Sequence, residues 1–579
     1  MRTHREFPTG AVLKAIPPLK AGDVRIITLG GVEEIGKNMT AVEYGGDIIV
    51  IDMGLEFPGE ETPGIDYIIP DTTYLEQNKN RIRGIFITHG HLDHIGGIPY
   101  LMPRLGNPPL YTRNLTSIMI KKRQEEFPYQ PPLNIITVEK ETTVKVGKLN
   151  VRFFGVTHSI PDSMGIIIET PFGWIVTTGD FKLEHEDSTP TPAEEETYKI
   201  FDKGKVLLLM ASSTNIENPG FSIPEKEVHK SLESLIRTTT GRLIIGTFAS
   251  QFQRMMAVIQ SAEKNGRKVV VEGRSMRVNL EAAQLAGIFK PKKATIVLAS
   301  EIDNYPDNQI LILATGAQGE EYSALMRMSG RSKNLKALQI KKGDTVVLSS
   351  SIIPGNERTV QKLKDNISRR GAKIIHYRTS EIYIHSSGHG NCGELEWLQK
   401  KVRPRFFIPI HGHHYMLRLH ADLAMSLGLP EKNIVVPDNG MVTEITGEGK
   451  KIAALKETVP NRTVMVDGLS TDNVKEVVIR DRQMLAQEGI FVIIAIIDKD
   501  GRVRKSPDII SRGFVYLKES QDLLRHVRLL IKKRIEGAAS QMHPINLDYV
   551  KNILREEVGK YLFLKTHNRP IILPVLIEV

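Results

Sequence analysis

Between Thr88 and Gly97 the chain reads THGHLDHIGG, which places His89, His91, Asp93 and His94 within six positions. Imidazoles and a carboxylate packed this closely are metal-ligating groups. On a loop after a strand, His89 and His91 turn toward one ion, while Asp93 and His94, at the entry to the next helix, face a second. Gly90, Gly96 and Gly97 let the backbone pack closely around such a site. The single cysteine, Cys392, excludes intramolecular disulfides and a thiolate metal site, so nitrogen and oxygen must hold any metal. That donor set suits Zn²⁺, with Mn²⁺ second.

A two-metal site needs more ligands, and they stand at the ends of other apolar runs. FFGVTHSIPDS supplies His158, WIVTTGDFK supplies Asp180 as a carboxylate able to bridge two cations, and RFFIPIHGHH supplies His411. Asp52, in IVIDMG, reads as a group that orients a ligand histidine.

The elements that must bring these residues together are legible as alternating patterns. From Val24 to about Asn215, VRIITLGG, DIIVIDMG, GIFITHG, LNVRFFGVTHS and GIIIETPFGWIVTTGDF read as strands closed by Gly, Asp or His. From about Pro219 to Ser380 helices and strands alternate. SQFQRMMAVIQSAEKNG is a helix ended by glycine, and KVVVEG and DTVVLSSS are strands. A return segment runs from EIYIHSSGHG through RFFIPIHGHHYM to about Ile445. The tail holds IFVIIAII, read as a buried strand, and a helix with Leu524, Val527, Ile531 and Ile535 on one face.

At 579 residues, two to four domains are expected. The longest strongly apolar stretch, Ile490 to Ile497, is far too short for a membrane span. The first residues lack the apolar run of a signal peptide and read as a flexible basic leader on a cytoplasmic protein. A formal net charge of +10 fits a polyanionic partner such as nucleic acid.

Taken together, GGVEEIGKNMTAVEYGGDIIVIDMGLEFP, GIDYIIPD, FITHGHLDHIGGIPYL, TGDFK, SSIIPGNE, HSSGHG, SPDIISRGFVYLKES and RPIILPVLIEV resemble the signature segments of the ribonuclease J family, metallo-β-lactamase-fold nucleases of the β-CASP group. The resemblance implies an α/β fold: a metallo-β-lactamase αββα sandwich with an inserted β-CASP α/β domain and a small C-terminal α/β domain. Its boundaries would be a leader over 1–20, the first part of the sandwich over 21–218, the insert over 219–380, the return segment over 381–455, and a linker with the C-terminal domain over 456–579. It also implies two Zn²⁺ per subunit, with Mn²⁺ as the second choice. One metal would take His89, His91 and His158, the other Asp93, His94 and His411, with Asp180 bridging. His389 matches the residue that protonates the leaving oxygen, and His385, Ser387 and Gly388 match a segment that holds a terminal phosphate together with His389.

The implied activity is RNA phosphodiester hydrolysis in RNA maturation and decay. It would run 5′→3′ from 5′-monophosphate ends of single-stranded RNA, with an endonuclease mode at the same site. Two cations about 3.5–4 Å apart activate water and neutralise the phosphoryl oxygens, Asp93 or Asp180 orients the attacking oxygen, and general-acid help from His389 is worth about 10²–10⁴-fold. A homodimer or homotetramer through the C-terminal domain, RNA-decay partner proteins and no membrane contact are the implied associations.

The chain departs from the family pattern at several positions. Ser212 stands where an aspartate is expected beside the metal site, keeping an oxygen but losing the charge. Leu92 replaces a glutamate, Gln251 and Gln253 replace Asn and His, Ala317 replaces a serine, and His413 and His414 alter the stretch after His411. None removes a candidate ligand, so an active enzyme with altered rate or metal preference is expected. The alternative is a catalytically weak or silent RNA-binding paralogue. A small-molecule hydrolase of the same superfamily is disfavoured, because such a substrate needs neither the insert nor HSSGHG.

Overall fold

Two mixed sheets face each other across an apolar layer. One has eight strands, in the order Lys451–Thr458, Met441–Thr446, Val24–Gly30, Met39–Tyr44, Asp47–Ile51, Ile82–Phe86, Leu110–Thr112 and Ile135–Thr137. The other has six, in the order Phe406–Ile410, Val206–Ser212, Gly173–Thr177, Met164–Thr170, Leu149–Gly155 and Thr143–Val146. Ile26, Val42, Ile49 and Phe86 from the first pack with Phe153, Ile166, Ile175, Leu208 and Phe406 from the second. The opposite face of the six-stranded sheet (Ile167, Val176, Leu209 and Phe407) is covered by helices Cys392–Val402 and His414–Ser426 through Leu395, Leu398 and Ala424. Both faces of the four strands that carry Ile167, Val176, Leu209 and Phe407 are therefore largely buried, which is why they read as near-continuous apolar runs.

The structure, a computed structural model, describes residues 16–59, 61–330, 337–353, 355–378, 380–468, 476–515, 520–540 and 545–579. Residues 1–15 of the expected leader lie outside that set, as do 469–475 of the expected linker.

The middle of the chain builds a five-stranded parallel sheet, in the order Lys268–Glu272, Ile310–Ala314, Leu243–Gly246, Thr345–Leu348 and Lys373–His376. Helix Glu225–Thr238 lays Val228, Leu232 and Ile236, four residues apart, onto one face of it, together with Met255 and Ile259 of helix Phe252–Lys264. The latter helix ends at Asn265, followed by Gly266 in the left-handed conformation (φ 70°), as its sequence anticipates. Leu363 and Ile367 of helix Glu357–Arg369 cover the opposite face.

The chain divides into two compact units. Residues up to Glu56 with Ile69–Val464 form one, and Phe57–Ile68 with Met465–Val579 form the other. The second unit has a three-stranded sheet, Asp508–Arg512, Ile490–Ile497 and Ile571–Glu578, backed by helices Gln521–Ala539 and Leu547–Thr566. Leu524, Val527, Ile531 and Ile535 are buried against it, as the helical spacing predicts. The strand IFVIIAII corrects the expectation of full burial. Its residues alternate between buried and half-buried, because helices cover only one face of the sheet. On the other face Ile510, Leu573, Val575 and Ile577 are exposed.

Candidate metal centre

Strand ends converge where the two large sheets meet. His89 and His91 leave strand Ile82–Phe86 through Thr88, and His91 is the N-cap of the short helix Leu92–Ile95 that carries Asp93 and His94. Asp180 follows strand Gly173–Thr177, and His411 follows Phe406–Ile410. Asp52 (φ 60°) and His411 (φ 52°) both sit in the left-handed backbone region just past a strand, a conformation that side chains other than glycine rarely adopt and that clusters at functional sites.

Asp180 lies at the middle. Its Oδ2 is 3.5 Å from His89 Nε2, 3.5 Å from His158 Nε2 and 3.4 Å from His94 Nε2, and its Oδ1 is 2.5 Å from His411 Nδ1. Asp93 Oδ2 is 3.4 Å from both His94 Nε2 and His411 Nε2. Ligand atoms of His89, His91, His158 and Asp180 form one set within 4.8 Å of one another, and those of Asp93, His94, Asp180 and His411 form a second. The structure thus brings together all seven residues that the sequence singles out for metal.

The hydrogen-bond partners outside the cluster assign the tautomers. Thr88 Oγ1 donates to Asp52, so His89 Nδ1 donates to Thr88 Oγ1 (3.0 Å) and its Nε2 keeps a lone pair. His158 Nδ1 donates to the Gly388 carbonyl (2.6 Å), which leaves its Nε2 likewise unprotonated. His91 Nε2 points at the Ser250 carbonyl (3.4 Å) and turns Nδ1 inward. Three lone-pair nitrogens then face each other, with His91 Nδ1 3.1 Å from both other Nε2 atoms. Nitrogens without protons cannot bond one another, and a cation is what such a cluster fits. In the second set His94 Nδ1 donates to Asp52 (2.8 Å) and His411 Nδ1 to Asp180, while His411 Nε2 is buried with no hydrogen-bond partner among the described residues. The same set offers only oxygen and nitrogen, as borderline divalent cations accept.

Electrostatics divides the cluster. Burial pushes His89 down to about 3 and His158 well below the usual imidazole range, so both are neutral, the form that binds metal. Burial also works against charge on His94 and His411, but the carboxylates overcome it. Asp180, Asp93 and Asp52 raise His94 well above its ordinary value, and Asp180 and Asp93 raise His411 to about 9. Asp93 and Asp180 are held well below the carboxylate range despite burial, chiefly by His94 and His411.

His389 stands over the centre, its Nδ1 3.9 Å from Asp180 Oδ2 and without a hydrogen-bond partner among the described residues. Burial lowers it to about 4, and an anionic phosphate beside it would favour the protonated form. Ser387 and Gly388 line a small recess with Lys182, Gln251, Gln253 and the carboxylates Glu184 and Glu225. A Cβ at Gly388 would lie 2.8 Å from His158 Cε1 and from Ser159 Oγ, so only glycine fits. His385 lies deeper, its Nδ1 2.8 Å from the Arg254 guanidinium. Asp52 accepts from the Thr88 amide (2.8 Å) and from His94 Nδ1 (2.8 Å). Ser212 is buried, but its hydroxyl meets Thr214 Oγ1 (3.3 Å), which in turn bonds the His411 carbonyl. His413 and His414 turn to the Glu33 carbonyl and to Asp438.

Sequence reasoning misses several supports. Asn38 Nδ2 lies 3.1 Å from the Asp93 carbonyl and 3.2 Å from His94 Nε2. Thr88 relays Asp52 to His89. The signals were slight: Thr88 adjoins the histidine cluster, and Asn38 sits in the segment GGVEEIGKNMT.

Two facing sheets with helices outside, a parallel-sheet region and a shared-carboxylate cluster at the strand ends define a chain of the metallo-β-lactamase superfamily with a β-CASP domain. Residues 33–211 match the metallo-beta-lactamase superfamily, 240–367 the ribonuclease J beta-CASP domain and 477–579 the ribonuclease J C-terminal domain. A relative named Ribonuclease J 1, from Streptococcus pyogenes serotype M3, is 36% identical over 562 residues, 96% of this chain and 98% of its own. Ribonuclease J2 of Bacillus subtilis (strain 168) is 34% identical over 563 residues, 96% and 99% respectively. Ribonuclease J 2 of Staphylococcus aureus (strain NCTC 8325 / PS 47) is 36% identical over 97% of this chain and 99% of its own. A crystal structure from Enterococcus faecalis V583, described as a protein of unknown function, superimposes with TM-score 0.50 at 19% identity, covering 72% of this chain and 99% of that one, which speaks to the fold alone. The chain belongs to the ribonuclease J family.

Proposed function

We propose that this chain is a metal-dependent ribonuclease with two cations per subunit, Zn²⁺ first and Mn²⁺ second, which removes nucleotides 5′→3′ from 5′-monophosphate ends and also cuts internally. The observation that carries this reading is the pair of four-group sets sharing Asp180, beside a loop bearing His389. In our assignment His89, His91 and His158 hold one ion, Asp93, His94 and His411 the other, and Asp180 both. Cations held there supply Lewis-acid activation of water and neutralise the phosphoryl charge. Asp93, half-buried at the rim, orients the attacking oxygen. His389 gives a proton to the departing 3′-oxygen. Ser387 and Gly388, with His385 behind them, take the terminal phosphate. A terminal phosphate held beside Gly388, whose carbonyl His158 bonds, would fix the distance to the first scissile bond and so favour stepwise removal.

We assign 21–218 and 381–455 to the sandwich, 219–380 to the insert and 456–579 to the linker and C-terminal domain. Assembly into a homodimer or homotetramer would use the C-terminal domain, and the exposed apolar sheet face with Leu573, Val575 and Ile577 supports this. Among the described residues no helix is long and apolar enough to cross a membrane. A cytoplasmic role in RNA maturation and decay, alongside other RNA-decay proteins, follows from the substrate.

The test is product mapping on 5′-labelled RNA with added Zn²⁺ or Mn²⁺. Mononucleotides released faster from monophosphate than from triphosphate ends are expected. If both RNAs stay uncut while His389→Ala binds them as wild type does, the chain is a silent RNA-binding subunit instead.

A further inference from the structure

Four successive carbonyls of HSSGHG are each drawn inward by a different side chain. Ser386 O accepts from Arg254 (3.0 Å), Ser387 O from Lys182 Nζ (3.1 Å), Gly388 O from His158 Nδ1 (2.6 Å) and His389 O from Asn215 Nδ2 (3.0 Å). No helix or strand sets the path of this loop, so these side chains do.

Lys182 is the least expected of the four. It is 3% exposed, and its three ammonium protons meet the Ile223 carbonyl (2.9 Å), Ser386 Oγ (2.6 Å) and the Ser387 carbonyl. Neutral acceptors saturate it, and no carboxylate lies within 4.0 Å among the described residues. Glu225, Glu394 and Glu184 offset its charge from beyond direct contact, so the three bonds it makes go to the loop and its support rather than to an ion-pair partner. Lys182 follows Asp180 by two residues, and its own amide bonds the Thr157 carbonyl next to His158. One turn therefore holds Asp180 in the centre and Lys182 under the loop. From the parallel-sheet side Arg254, fully buried, grips Glu225 through two bonds (2.8 and 2.7 Å) and reaches His385 Nδ1 and Ser386 O.

We propose that Lys182 is a positioning residue that locks the Ser386–His389 loop to the metal centre, with Arg254 as its counterpart from the inserted sheet, so that the phosphate recess and His389 keep register with Asp180. The consequence for end recognition rests on the function proposed above, while the lock itself does not.

Lys182→Met keeps the length and removes the three donors. Hydrogen exchange of the metal-loaded full chain should rise at least tenfold over residues 381–391 and stay unchanged elsewhere. The kcat/KM ratio for monophosphorylated over 5′-hydroxyl RNA should fall at least tenfold. Metal content should stay within twofold of wild type. Unchanged exchange overturns the proposal, as does looser exchange with an unaltered RNA rate and ratio. Loss of metal together with all activities overturns it too, since Lys182 would then only support the cage. If wild type shows no preference between ends, the recess reading fails, and the lock is judged on exchange and on a tenfold lower kcat with RNA alone. Should Lys182→Met not fold, Ser386→Ala deletes one acceptor of the same ammonium and should raise loop exchange about two- to fivefold; no change there overturns the proposal.

Discussion

The two halves of the metal cluster share Asp180 but are built differently. Around His89, His91 and His158 the outward ring nitrogens meet neutral oxygens, those of Thr88, Ser250 and Gly388, and burial keeps His89 and His158 unprotonated. Around His94 and His411 they meet the carboxylates Asp52 and Asp180, and without metal those imidazoles hold protons. One half is ready for a cation at neutral pH. The other must expel protons to accept one, and its carboxylates then strengthen the imidazoles as ligands.

The largest effect should come from removing what the halves share. Asp180→Ala should empty both, leaving less than about 1% of wild-type hydrolysis, given that metal activation of water is worth several kcal/mol; elemental analysis checks the metal. A variant that kept one ion would show the halves to be independent.

Next comes pH. Because His411 is raised to about 9 and His94 is raised as well, the carboxylate-rich half should weaken about tenfold per pH unit per displaced proton as pH falls below about 9. The imidazole-rich half should stay nearly flat above pH 5. Titration calorimetry in two buffers of different ionisation heat reads the protons released; equal release by both ions would erase the contrast.

A smaller change should follow at Asp52. Asp52→Asn loses the charge behind His94 Nδ1 and should cost about 10–100-fold in affinity for the second ion, with a smaller loss at the first, which it reaches through Thr88 and His89. Competition with a chelator separates the two ions.

The smallest effect should lie outside the cluster. His420, buried behind Ser213 (3.0 Å), is pushed down to about 3 by burial. An imidazole whose folded value is depressed contributes stability above its unfolded value near 6.5 and loses it as pH falls from there toward about 3, at about 1.4 kcal/mol per unit. His420→Gln should flatten that slope between pH 6.5 and 5 in urea denaturation, leaving the metal contrast intact.

Much of the centre was legible because metal ligands are chemically rare. Three histidines and an aspartate in one turn have few other uses, and His158, Asp180 and His411 each close an apolar strand, where loops leave a sheet. Ordinary polar residues were not legible. Asn38, Thr88, Asn215, Lys182 and Arg254 act through partners distant in the chain, as with Lys182 and Ser386, 204 positions apart. The strand Ile490–Ile497 failed for another reason: a run apolar at every position hides which face is covered, and only the arrangement of helices shows it.

The most direct measurement is the number of metal ions per chain in protein loaded with Zn²⁺ at pH 8 and then taken to pH 6. Two ions at pH 8 and one at pH 6, with RNA hydrolysis lost alongside the second, is the expected result. One ion at both pH values, or two lost together, would contradict a shared cage with unlike halves.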